Sequence, residues 1–289
     1  MIPISPGDLA YPPRLRDLRP APDPLWVAGD PAVLALPSVA IVGTRRMSPY
    51  GERVAAELAQ ALAAAGIVVV SGLAQGIDTC AHRAALESGG RSVAVLGEGL
   101  TSHAAAARGR RRVLAARLQA GGALVSQYAP ELPPQGWMFA KRNAVIAALA
   151  VAVIIVEAPF GSGALITAAE ARSLGRPLYA VPGPVGARGS EGTNGLIANG
   201  LATALIEPRV VIARLGGVPA AAARTLDRSL ELLAAGPADL DELVRRMGGD
   251  RAAARSLVIT HVLDGRIRET GDGRYALISR AAGGPDREQ

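Results

Sequence analysis

The sequence has one cysteine, Cys80, in 289 residues. No intramolecular disulfide can form, which fits a reducing compartment. Aromatic residues make up only 3%, so the core is built from Ala, Val, Leu and Ile, and few rings remain to stack on bases. There is a single lysine, Lys141. Positive charge is therefore carried by arginine, whose planar fork suits phosphate oxygens. The histidines, His82, His103 and His261, are dispersed with no cysteine cluster beside them, so no zinc spacing is present. Neither a GxGxxG fingerprint nor a Walker loop occurs, which argues against a nicotinamide dehydrogenase and a P-loop ATPase. The start, MIPISPGDLAYPP, lacks the basic region and apolar run of a signal peptide. The longest apolar stretch, Ala144 to Ala158, is shorter than the about 20 residues of a membrane span, and it carries Glu157 before stopping at Pro159. These absences point to a cytoplasmic protein with no membrane association.

What is present is a chain that is 49% hydrophobic with a formal charge of +6. Residues 1–37 are proline-rich and read as an extended lead-in, with Trp26 anchoring it to the main domain. From Val39 the pattern changes. VAIVG, IVVVS, SVAVLG, ALVSQ, VAVIIVE and PLYAV are buried-strand candidates, and ATALI is a possible last one. Helices are expected over 50–65, 78–88, 110–120, 142–149 and 165–174. Continuous apolar strands with intervening helices mark a parallel sheet covered on both faces. Residues 38–207 thus read as one Rossmann-like α/β domain. Residues 208–223 read as a linker. Within 224–280, helices over 226–234, 240–247 and 252–264 precede short strands around Gly271-Asp272-Gly273, the order of a winged helix. Residues 281–289 read as a disordered tail. In residues 220–289 eleven arginines meet eleven acidic residues, so the whole positive excess lies before this part.

The loops after the strands carry the chemistry. Gly43-Thr44-Arg45-Arg46 follows the first strand, and Ser71 to Asp78 spans the end of the second. Phe160-Gly161-Ser162-Gly163 follows the fifth, and Pro182-Gly183-Pro184 the sixth. In a parallel sheet these loops share one edge. There, turn amides, helix N-termini and Arg45, Arg46, Lys141 and Arg142 suit phosphates. Each piece also has an ordinary reading. Asp78 is an N-cap, with catalytic work the minority alternative. Ser71 caps or donates to a phosphate. Glu157 pairs with an arginine and holds a loop, and a general base is the lesser alternative. Cys80 is core.

GTRRMSPYG, SGLAQGIDTCAHRAAL, VAVLGEGL, FAKRNAVI, IVEAPFGSGALITAAEA, YAVPGPVG and GTNGLIANG occur in this order. The set resembles the DNA-processing protein A (DprA, or Smf) family over about residues 11–207, and the C-terminal unit resembles the winged helix often attached to it. The resemblance implies an extended Rossmann-like fold and a protein that binds single-stranded DNA. It also implies protection of incoming DNA in natural transformation, help in loading the RecA recombinase, self-association as a homodimer, and no catalysis, metal or cofactor. Carried onto this sequence, it makes Arg45 the first phosphate contact. Ser71, Gly72 and Gly76 become a second loop, and Lys141, Arg142 and Asn143 a basic segment. Phe139 stacks on a base or plugs the loop from below, and Ser162 and Gly163 form a further pocket loop. The sequence departs from the family's pattern at TSHAAAARGRRR, at Gln127 and at Ala144. The first of these gains Arg108, Arg110, Arg111 and Arg112 where a Tyr-Pro segment is usual. The alternative reading is a nucleotide-processing enzyme such as a phosphoribohydrolase. Its glycine-loop architecture is similar, but its PGGxGT motif is missing here.

Overall fold

The computed structural model describes residues 1–215, 232–233, 236–246, 251, 254–255, 258–259, 262 and 267–277. The chain divides into two compact units, Met1–Gly217 and Val218–Gln289.

The first unit is built on a nine-stranded sheet. Its elements run β1 (Ile2–Ile4), β2 (Leu25–Gly29), β3 (Ser38–Val42), α1 (Pro49–Ala64), β4 (Val68–Ser71), α2 (Ile77–Glu87), β5 (Ser92–Val95), α3 (Leu100–Ala106), α4 (Gly109–Ala120) and β6 (Gly122–Ser126). They continue with α5 (Gly136–Leu149), β7 (Ala152–Ile155), α6 (Gly163–Ser173), β8 (Leu178–Ala180), α7 (Glu191–Ala198), β9 (Thr203–Ala204) and α8 (Pro208–Arg214). The strand order is β1-β2-β6-β5-β4-β3-β7-β8-β9. From β6 to β9 every pairing is parallel. The apolar runs lie where both sheet faces are covered: β3 through β7 are buried at every position.

Each face has its own core. Val153, Ile155, Val145, Ile146 and Leu149 join the lead-in residues Tyr11, Leu15 and Leu25 on one side. Ile41, Val69, Ile154, Leu58, Leu62 and Ile77 pack on the other. Burying one such aliphatic side chain contributes about 1.5–3 kcal/mol, so the two layers hold the strand ends in fixed register. Helix α1 starts where Ser48 accepts from the Gly51 amide, a cap that satisfies one otherwise orphaned donor.

The structure corrects the sequence reading at several points. Residues 1–37, read as a lead-in with at most short elements, contribute two short strands to the sheet. β2 pairs antiparallel with β6, from Trp26 opposite Ser126 to Gly29 opposite Ala123, and β1 pairs antiparallel with β2. The sheet is therefore mixed rather than wholly parallel. Tyr11 and Leu15 are fully buried, and Arg14 Nε donates to the Leu149 carbonyl at 2.9 Å. Helix α5 begins at Gly136, six residues before the expected Arg142, which brings Phe139 and Lys141 onto the helix. Helices α3 and α7 have no counterpart among the expected elements. The linker expected from residue 208 opens as helix α8, whose Val211 and Ile212 pack into the second core.

In the second unit, α9 (Leu240–Arg246) is capped by Asp239, whose Oδ1 accepts from the Glu242 amide at 2.7 Å. β10 (Ile267–Glu269) and β11 (Tyr275–Leu277) form an antiparallel hairpin, and Ala238 bridges to Tyr275. Leu233, Ala238, Leu243, Val258 and Ile267 make a small core. The helices expected over 226–234 and 252–264 are described only in part. The linker from 216 to 223 and the tail 281–289 lie outside the described residues.

Candidate functional site

β3 is the turning point of the sheet. From it the chain steps outward through β4, β5 and β6 on one side and through β7, β8 and β9 on the other. Loops leaving β3 and β7 therefore diverge and open a crevice beyond the strand ends, the usual ligand position in such sheets. Here the crevice has a volume of about 480 Å³, and Arg45, Arg46, Phe139, Ser162 and Gly163 line it, with Arg142 and Asn143 at its floor. A second, larger groove of about 980 Å³ lies on the other side of Phe139, toward α4.

The loop after β3 is tied down from below. The Thr44 amide donates to the Glu157 carbonyl at 2.7 Å, and Thr44 Oγ1 accepts from the Arg46 amide at 3.2 Å. Glu157, 4% exposed, accepts from the Ser48 amide and hydroxyl at 2.9 and 2.5 Å. Glu157 thus holds the loop, as one sequence reading had it, but through a serine rather than an arginine. Both its oxygens are engaged away from the crevice. Arg45 and Arg46 remain exposed at the top of the loop. The Arg45 guanidinium lies 5.9 Å from the centroid of the half-buried Phe139 ring, a cation–π arrangement. Phe139 is backed by Gly97, where a Cβ would stand 2.7 Å from the ring. Both readings of Phe139 thus have a basis: one edge plugs, and the rest borders both crevices.

The other expected residues make contacts within the fold. Ser71 is 0% exposed, and its hydroxyl donates to the Ile41 carbonyl at 2.6 Å. It cross-links β4 to β3. Arg142 is 5% exposed and donates through Nη1 to the Gly72 and Val95 carbonyls, both at 2.5 Å, and through Nε to Asn143 Oδ1. It ties α5 to the ends of β4 and β5. Gly72 is glycine because a Cβ would sit 2.4 Å from Arg142 Nη1. The Gly72 amide donates to Asp78 Oδ2 at 3.2 Å, so a carboxylate and a guanidinium hold the two peptide groups that flank the Gly72 Cα. Burial pushes the Asp78 carboxyl up while Arg142 pulls it back. Burial likewise pushes Arg142 down, and Asp78 partly restores it. Asp78 sits in the first turn of α2, but Gly76 is the N-cap residue. Gly76 holds φ at +90°, and a Cβ there would meet the Thr44 carbonyl at 2.3 Å. Its close approach is to the Arg45 loop itself. Asn143 Nδ2 donates to the Gly163 carbonyl, linking α5 to the start of α6. Ser162 caps α6 through the Ala164 amide. Lys141 borders neither crevice; its ammonium lies 5.2 Å from the Trp137 ring centroid, on another face of α5.

Sequence reasoning did not place the arginines of the larger groove in a site, although Arg110 and Arg111 stand out as a departure from the family's pattern. Arg83 comes from α2, and Arg110, Arg111 and Arg117 from α4. The signal was the spacing Arg110, Val113, Leu114 and Arg117, which is one helical face. Among the described residues, no cluster of three or more His, Cys, Asp or Glu is placed to hold a metal ion. No described helix is long and apolar enough to cross a membrane.

A family model for DNA recombination-mediator protein A matches residues 3–216. The chain is 43% identical over 206 residues to protein Smf of Escherichia coli, covering 71% of this chain and 54% of that protein. It is 38% identical over 287 residues to the putative DNA processing protein DprA of Mycobacterium tuberculosis, covering 93% and 72%. The chain thus spans about half the length of the first relative and nearly three quarters of the second. Among solved structures, DNA processing protein A of Streptococcus pneumoniae superposes with a TM-score of 0.67 at 35% identity, covering 73% of each chain. DNA processing protein A of Helicobacter pylori, whose structure addresses its single-stranded DNA binding mode, superposes at 0.65 with 30% identity, covering 71% of this chain and 92% of that one.

Proposed function

The chain belongs to the DNA recombination-mediator protein A family, and from that premise we propose that it binds single-stranded DNA at the crevice beyond β3 and β7. One observation carries the reading. Two exposed arginines, Arg45 and Arg46, stand beside a half-buried aromatic ring at the topological switch point of the sheet. Guanidinium groups hold phosphates and a ring face accepts a base. Ser162 and Gly163 at the start of α6 complete the crevice, with the positive end of the helix toward it. Arg142, Asn143, Ser71, Gly72 and Gly76 shape this surface and do not touch the strand.

The wider role is protection of incoming DNA and loading of the RecA recombinase in transformation and recombination, with a homodimer as the working unit. No chemistry on the DNA is assigned: the carboxylate that lines the crevice, Asp78, accepts from the Gly72 and Ala74 amides, and Glu157 is engaged by Ser48. The C-terminal unit is a winged helix in this reading, supported by α9, the β10–β11 hairpin and the Ala238–Tyr275 bridge. Its charge balance gives duplex DNA little non-specific attraction, which favours a protein-contacting role.

Titration of the full chain with single- and double-stranded oligonucleotides at two salt concentrations tests the proposal. Single strands bind more tightly, and affinity falls with salt. Arg45→Ala lowers affinity roughly fivefold in 0.1 M salt, from a lost single-strand slope of about 0.7. Equal affinity for both forms, or an unchanged slope in Arg45→Ala, would falsify it.

A further inference from the structure

The larger groove, between α2 and α4, is not accounted for by the crevice at the switch point. Its floor is aliphatic, formed by Leu73, Leu96 and Leu114. Val113 reaches it from α4 with 61% of its surface exposed, beside Leu114 on the same helix. Arginines rim the floor. Arg83 faces Glu52 at 3.1 Å, Arg111 faces Glu98 at 3.1 Å, and Arg117 faces Glu87 at 3.7 Å. Arg142 faces carbonyls. Arg45 and Arg110 are the lining arginines with neither a carboxylate nor a carbonyl partner among the described residues.

The acidic component of the groove is neutralised from within. Glu98 is 4% exposed and also meets His103 Nδ1 at 2.9 Å. Burial would raise the Glu98 carboxyl, yet His103 and Arg111 bring it below its ordinary range. The carboxylate therefore stays ionised and anchors α4 through Arg111, rather than repelling an anion in the groove.

We propose that this groove is a second nucleotide subsite, which seats a base of a single DNA strand on the exposed Val113 and the partly buried Leu114, with the buried Leu73 and Leu96 packed beneath, while Arg45 and Arg110 hold phosphates at its rim. The inference rests on the reading of the Phe139 crevice as a single-stranded DNA site. Arg45 and Phe139 border both spaces, so a strand lying against the ring continues from one into the other. Aliphatic faces here do what stacked rings do elsewhere, in keeping with a chain of 3% aromatic content.

The test uses the full chain and oligothymidylates of about 4 to 16 nucleotides, the range of common single-strand site sizes. Arg45→Ala weakens every length. Arg110→Ala, an exposed position, weakens only the longer oligonucleotides, roughly fivefold in 0.1 M salt with a lost slope of about 0.7. Val113→Asp does the same, and its thermal midpoint equals that of the wild type. Long oligonucleotides made abasic beyond the first few nucleotides bind less tightly than intact ones. If Arg45→Ala weakens binding while Arg110→Ala and Val113→Asp match the wild type at all lengths, the second subsite is wrong and the Phe139 crevice stands. If abasic and intact strands bind alike, the groove holds no bases. If Arg45→Ala has no effect, the DNA reading of both spaces fails together.

Discussion

Arg45 and Arg142 line the same crevice and carry the same guanidinium, but their surroundings are opposite. Arg45 stands in solvent over the Phe139 ring, and no described carboxylate engages it. Arg142 lies beneath, donating to the Gly72 and Val95 carbonyls within reach of the Asp78 charge. The lower region converts charge into rigidity, and the upper region leaves charge unsatisfied for a ligand. Basic residues at a strand edge therefore do not define a site; their burial and partners do.

The largest effect that sharpens this contrast is expected from Arg142→Leu. It removes the positive charge near the buried Asp78 and the guanidinium donor to two carbonyls, and each buried group left unsatisfied costs about 1–3 kcal/mol. Urea unfolding measures it; a loss below about 1 kcal/mol would place Arg142 with the upper, ligand-facing region instead. The next largest concerns His82, fully buried beside the same network. Ser92 Oγ donates to the Val69 carbonyl, so His82 Nδ1 donates to Ser92 and Nε2 is left without a partner. Burial, with Arg142 nearby, lowers this ring from 6.5 to about 3. Below pH 6.5 the unfolded chain takes up a proton that the folded chain refuses. The His82 contribution to stability thus declines as pH drops toward 3, by about 1.4 kcal/mol per pH unit. The ring resonances of His82 stay unshifted from pH 8 to 4; a titration midpoint near neutrality would refute the assignment.

On the upper side, Phe139→Ala removes a stacking face worth about 1–3 kcal/mol per base. Oligonucleotide affinity drops accordingly, while unfolding is affected far less than in Arg142→Leu. Unchanged affinity would reduce Phe139 to its plugging role. The smallest effect is expected from Lys141→Ala. Its ammonium rests near Trp137 and outside both crevices, so affinity changes by no more than about twofold, the scale of an exposed charge contact. A loss as large as that of Arg45→Ala would bring α5's outer face into the DNA path.

The central strands were legible because each is a short uninterrupted apolar run bounded by glycine or a charge. β1 and β2 were not. LWVAG lies among prolines, and its partner strand starts at Gly122, so the pairing is a tertiary fact that no local pattern reports. The crevice was legible as a convergence of loops, which the switch at β3 produces. Depth was not read. Arg142 shares a helical face with Met138, Val145, Ile146 and Leu149, all buried, and that spacing was the available sign that it points inward. The α4 arginines were seen only as a departure from the family's pattern. Their role depends on Glu98, which pairs with Arg111 across thirteen residues and a turn of chain.

The antiparallel strands at the front of the sheet have a consequence for the width of the sheet. They cap the β6 margin with a last strand of three residues, Ile2–Ile4, and the opposite margin ends in the two residues Thr203–Ala204. Neither rim offers an extended row of open amides and carbonyls, the feature that lets sheets fuse rim to rim. Rim-to-rim fusion of two such sheets is therefore disfavoured, which leaves each sheet a unit of fixed width.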